Sequence, residues 1–112
     1  GVSVSRFRVE REAEPRAFRY RLTVVHASGA GRDFQGQLRL VANVVQDGRP
    51  VSLPLTDAAG APLGPTALSF RLFQPVEGSF RLPANTTLRG LEARVLENGV
   101  AQPRAIQTAP AP

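Results

Sequence analysis

Apolar side chains recur at every second position along most of this chain, and nowhere do they hold helical spacing over a helix's length. Alternation with period two sends successive side chains to opposite faces of a strand, so the pattern predicts a β domain. The clearest segment is Phe18, Tyr20, Leu22, Val24 and His26, interleaved with Arg19, Arg21, Thr23 and Val25. Upstream, Val2 and Val4 hold one parity and Phe7 and Val9 the other, which predicts a first strand with a bulge near Ser5 and Arg6. Phe34, Leu38, Leu40, Ala42 and Val44 predict a third strand. Asp47-Gly48 then predicts a tight turn, because Gly accepts the positive φ that a short hairpin requires. Val51, Leu53 and Leu55 alternate in the next strand, where Pro50 and Pro54 cannot donate to a ladder, so this strand is expected at a sheet edge.

Residues 57–66, with Gly60, Pro62, Gly64 and Pro65, read as a loop. Leu68, Phe70 and Leu72 predict one strand and Val76, Phe80 and Leu82 another, with Pro75 between them. Leu91, Ala93 and Val95 predict a strand ending at the hairpin signal Asn98-Gly99, with a last strand from Arg104 to Thr108 pairing back. Ala109 to Pro112 is expected to fray, giving a single domain over 1–108 and a flexible tail over 109–112. The expected fold is all-β: an antiparallel two-sheet sandwich of seven or eight strands, immunoglobulin-like in architecture. A closed barrel suits the prolines less well, because every barrel strand has two neighbours needing its N–H groups.

Composition narrows the function classes. The chain has 112 residues, no Cys, no Trp and one His, which excludes a disulfide scaffold and a Cys-based zinc site. All 14 basic residues are Arg, against 9 acidic residues, for a net charge of +5. Most of the excess lies in residues 1–50, where nine Arg face five acids. A GC-rich codon pool and a solvated face account for such richness, and so does an anionic partner. Methionine is absent even at position 1, so the chain is expected to have been cut from a longer one. No stretch approaches the ~18 apolar residues of a membrane span.

Candidate chemistry is sparse. His26 shares parity with the core residues of its strand, where an imidazole usually caps the core and bonds to a nearby carbonyl. Glu10, Glu12 and Glu14 read as a solvated strand end leading into a turn, and nothing in the spacing of Asp33, Glu77 and Glu92 shows them converging across a cleft. Gly29-Ala30-Gly31 has half of a dinucleotide fingerprint but is followed by a strand instead of a helix, so it reads as a loop. Asn85-Thr86-Thr87 fits a glycosylation sequon and also a polar loop. No catalytic residue, metal ligand or cofactor is therefore expected. What stands out is Arg6, Arg8, Arg19, Arg21 and Arg39, which alternate against core residues and are expected to share a face able to hold phosphate or carboxylate groups. Only Phe73 is outward by parity, so the aromatic platforms of a nucleic-acid binder are missing.

The segment Phe73-Gln74-Pro75-Val76-Glu77-Gly78-Ser79-Phe80-Arg81-Leu82-Pro83, continuing to Val95-Leu96-Glu97-Asn98-Gly99 and Gln102-Pro103-Arg104, resembles the C-terminal domain of a family of uncharacterised proteobacterial envelope proteins. Phe34-Gln35-Gly36-Gln37-Leu38-Arg39-Leu40 and Asp47-Gly48-Arg49-Pro50-Val51 are similar too. Members of that family have a membrane helix, a coiled coil and then this domain, often encoded beside a bactofilin. The resemblance implies a periplasmic domain tethered to the inner membrane by a deleted helix, with homo-oligomers formed through the missing coiled coil. The expected role is a non-enzymatic envelope domain that binds another protein through the edge at Val51, Leu53 and Leu55 or through the Arg face. The alternative is an anion-binding module for phospholipid headgroups or acidic polymers.

Overall fold

The computed structural model describes residues 1–27 and 31–112. Eight strands run in order: β1 (Val2–Arg11), β2 (Ala17–His26), β3 (Phe34–Gln46), β4 (Arg49–Pro54), β5 (Thr66–Phe70), β6 (Phe73–Arg81), β7 (Thr86–Glu97) and β8 (Ala105–Pro110). All pair antiparallel, in a three-stranded sheet β1-β2-β6 and a five-stranded sheet β4-β3-β7-β8, with β5 also on β3. Lettered A to G, this is the A-B-E and C′-C-F-G order of an immunoglobulin-like sandwich, except that the fourth-to-fifth region folds onto β3.

The inward residues read from the alternation form the core between the layers. Phe18, Leu22 and Val24 from β2 and Phe80 from β6 meet Leu38, Ala42 and Val44 from β3 and Leu91, Ala93 and Val95 from β7, all at most 4% exposed. Aromatic pairs fill both ends: Phe18 stacks on Phe80 with centroids 5.4 Å apart, and Phe34 lies 5.3 Å from Phe70. Such pairs contribute about 0.5–1.5 kcal/mol beyond their buried area. The sheets are joined at their margins as well as through the core. The Ser69 amide donates to Gln74 Oε1 and Gln74 Nε2 donates to the Ala67 carbonyl, at 2.9 and 3.2 Å, so one side chain bridges β5 and β6. The Arg81 amide donates to the Thr56 carbonyl at 3.0 Å.

The bulge expected near Ser5 and Arg6 is present. Ser5 pairs with Thr23 and Arg8 with Arg21, so Arg6 and Phe7 together oppose the single residue Leu22. Arg6 takes φ 55°, and Phe7 turns inward to pack against the core.

Five expectations are corrected. Pro75 lies inside β6 opposite Thr23, where an edge strand needs no outward donor, and Leu72 stands 56% exposed outside both strands at the β5–β6 corner. Leu55 falls just beyond β4 and is buried. Thr86 and Thr87 begin β7, and a second register shift, with Asn43 opposite Gly90 and Val44 opposite Leu88, skips Arg89 and reverses the inward parity. Asn98-Gly99 is not a two-residue hairpin: Asn98 lacks the positive φ that such a turn requires. Only Gly99 is positive, at 78°, and Val100 N–H donates to the Glu97 carbonyl within a longer connection. The C-terminus is part of the sheet: Ala109 is 2% exposed, Pro110 pairs with Gly90 and the Ala111 amide donates to the Arg89 carbonyl. Of the Gly29-Ala30-Gly31 loop, Gly29 and Ala30 lie outside the described residues.

Candidate anion-binding face

Register decides which arginines meet. Across the outer face of the three-stranded sheet, one row holds Arg8, Arg21 and Glu77, and the next holds Glu10, Arg19 and Ser79. Two guanidiniums placed directly opposite each other across a ladder repel. The face relieves part of this diagonally: Arg21 donates to Glu10 at 3.2 Å and Arg19 to Glu77 at 2.8 Å. All four side chains are about half exposed, so each pair contributes at most about 1 kcal/mol. Neither Arg6 nor Arg8 has an acidic partner among the described residues.

Arg6, Arg8 and Arg21 line an open groove of about 550 Å³ together with Thr23, Pro75 and Glu77. The bulge puts Arg6 there. A non-Gly residue in the left-handed region costs about 1–2 kcal/mol, and glycine is the residue that such a bulge ordinarily selects. Strain of this kind is retained where a side chain is used. The groove can receive a phosphate or carboxylate between two planar forks without displacing a carboxylate already bound.

Arg39 is not part of this face. It lies on β3, in the other sheet, opposite Arg94, which is held by Glu92 at 2.6 Å. Parity correctly marked Arg39 as outward, but parity cannot say on which of two sheets. The partners that sequence reasoning missed are Glu10 and Glu77, whose positions across the ladder depend on register.

The expected edge is β4, which pairs only with β3. Asp47 and Gly48 take φ 50° and 78°, a two-residue turn that makes Gln46 and Arg49 the first hydrogen-bonded pair. Bonded and non-bonded pairs then alternate, so positions 50, 52 and 54 direct their nitrogens outward. Two of those are Pro50 and Pro54, leaving the Ser52 amide as the one donor on the outer edge. Val51 and Leu53 are half-buried against the core. Strand addition needs donors and acceptors in alternation, and this edge offers almost only acceptors.

His26 sits half-buried at the end of β2, edge-on to Phe34 with centroids 6.1 Å apart. Its Nδ1 is buried and has no hydrogen-bond partner among the described residues, so the expected carbonyl bond is not made there. It shares a cavity of about 300 Å³ with Asp33 and Glu97, but each carboxylate is held by its own arginine, Arg71 at 3.3 Å and Arg104 at 2.8 Å. Glu10, Glu12 and Glu14 are exposed and do not converge, and no group of three metal-ligating side chains occurs among the described residues. A further groove of about 620 Å³ lies between Arg39, Leu40, Pro65, Thr66 and Tyr20. Burial there pushes the Tyr20 hydroxyl above its ordinary pKa, against the opposing pull of a hydrogen bond with Thr66. Among the described residues no helix is long and apolar enough to cross a membrane.

Residues 1–92 match a sequence family described as a family of unknown function, DUF6776. No curated protein and no solved structure matches the chain.

Proposed function

We propose, for a chain that belongs to the family of unknown function DUF6776 and takes no assigned activity from it, a non-enzymatic interaction domain that holds anionic groups of a partner on the outer face of β1-β2-β6. The observation that carries this reading is the register that sets Arg8 opposite Arg21 while Glu10 neutralises only Arg21, with the strained Arg6 turned into the same groove. A bound anion removes that repulsion. The resemblance to envelope proteins adds a periplasmic location, an inner-membrane tether and oligomerisation outside this domain. Binding through the β4 edge has less support, because Pro50 and Pro54 remove two of its three outward donors.

Titration with inorganic phosphate at constant ionic strength, followed by amide NMR, tests the reading. Shifts are expected at residues 6–8, 21–23 and 76–77, weakened severalfold in the R6Q/R8Q double variant and by added salt. A titration that leaves these amides unmoved, or that moves them equally in the double variant, overturns it.

A further inference from the structure

The outer face of the three-stranded sheet is ordered from one end to the other. Val25 and Phe73 pair at its first row, Thr23 and Pro75 at the next, with Arg6 beside them. Arg8, Arg21 and Glu77 follow, and Arg19 with Glu10 closes the series. The apolar end is the β5–β6 corner, where Leu72 is 56% and Phe73 60% exposed. It is made by the short connection that carries the chain from β5 in one sheet to β6 in the other. Two exposed large apolar side chains in succession, next to uncompensated cations, call for a partner with both an apolar and an anionic layer.

We propose that the partner is an anionic lipid surface, with Leu72 and Phe73 entering its apolar boundary while Arg6 and Arg8 take headgroup phosphates. This rests on the anion-binding reading of the same groove and names its source. The dimensions agree with it. Phe73, Pro75 and Glu77 succeed one another at about 7 Å along β6, and β1 lies about 10 Å across the sheet from it. Interfacial side chains reach roughly 5–10 Å past the headgroups. With the corner turned down, Phe73 lies at acyl depth and Arg6, beside the next row, at phosphate level; Arg8 stands one row higher with Arg21 and Glu77, where its long side chain reaches back toward the headgroups, and Arg19 and Glu10 lie farther out in water. An acidic peptide would supply the charge but would leave side chains as exposed as Leu72 and Phe73 without a role, since peptide side chains are recognised by sockets.

Co-sedimentation with vesicles tests the proposal, using phosphatidylcholine alone and phosphatidylcholine mixed with phosphatidylglycerol. Binding is expected only to the mixed vesicles. R6Q/R8Q should weaken it more than tenfold, at about fivefold per arginine. Phe73→Ser should weaken it roughly tenfold. Arg39→Gln, on the other sheet, should leave it unchanged. Phe73 is exposed, so the melting temperature of Phe73→Ser should match that of the parent and exclude misfolding. Amide shifts with inorganic phosphate but no vesicle binding, or vesicle binding indifferent to Phe73→Ser, overturns the lipid proposal and leaves the anion site standing. Tighter binding to poly-glutamate than to the mixed vesicles, lost in R6Q/R8Q, also overturns it. Silence toward both phosphate and vesicles removes the site itself.

Discussion

The outer faces of the two sheets are built from the same kinds of residue and arrange them differently. On the five-stranded sheet, Ser52 donates to Asn43 at 3.0 Å across β3 and β4 and Arg94 is held by Glu92 beside it, while Arg39, opposite Arg94, has no acidic partner among the described residues. On the three-stranded sheet, a bulge adds an arginine to a row that already sets Arg8 against Arg21, and Phe73 stands open at the corner. The larger sheet also packs its backbone more closely. An added Cβ on Gly36 would lie 2.0 Å from the Leu96 carbonyl oxygen. One layer holds the tightest backbone packing and the other gathers two unpaired arginines around one groove, so stability and binding should respond to different substitutions.

That separation can be broken in three places. The largest effect belongs to Gly36→Ala, which must displace main chain between β3 and β7; a loss of about 3 kcal/mol or more in chemical denaturation is expected, with vesicle binding by the folded fraction unchanged. If Gly36→Ala is as stable as the parent, the close packing assigned to the larger sheet is wrong. Next is Tyr20, between the layers. The chain has no Lys or Cys and a single Tyr, so no other side chain titrates between the range of His and that of Arg. Burial raises its pKa above the unfolded value of 10.0. The unfolded chain therefore loses this proton first, and the stability that the neutral phenol contributes is complete below pH 10 and lost as pH rises through the folded pKa. The unfolding free energy should fall with alkaline pH by at most about 1.4 kcal/mol per pH unit, and Tyr20→Phe should flatten the profile. The smallest change in stability, of opposite sign, is expected from Arg6→Gly. It relieves a left-handed residue and gains up to about 1 kcal/mol, while phosphate shifts in the groove weaken. A destabilised Arg6→Gly would mean that the arginine side chain supports the bulge.

Alternation made the interior legible, because inward and outward residues differ in polarity wherever one face of a strand is buried. Phe18 to His26 and Phe34 to Val44 are strands for that reason, and the parity change between Val4 and Phe7 located the first bulge. The second bulge, at Arg89, was hidden because it puts buried Leu88 and Leu91 on opposite parities, with a Thr pair upstream that also suits a loop. Ala109 carries too little apolar surface to mark its strand, and the connection after β7 follows Gly99 alone instead of the Asn98-Gly99 pair. For the site, sequence separated outward arginines from core residues. It could not show that Arg6, Arg8, Arg19 and Arg21 share a sheet from which Arg39 is excluded, because that depends on pairing between segments distant in the chain. The neutralising roles of Glu10 and Glu77 depend on the same pairing.

Pro50 and Pro54 bear on what the β4 edge can accept. A neighbouring strand approaching β4 would meet a row of carbonyls with one amide among them, and would have to leave its own carbonyls unsatisfied to stay. Two missing hydrogens thus keep this edge from templating a further strand.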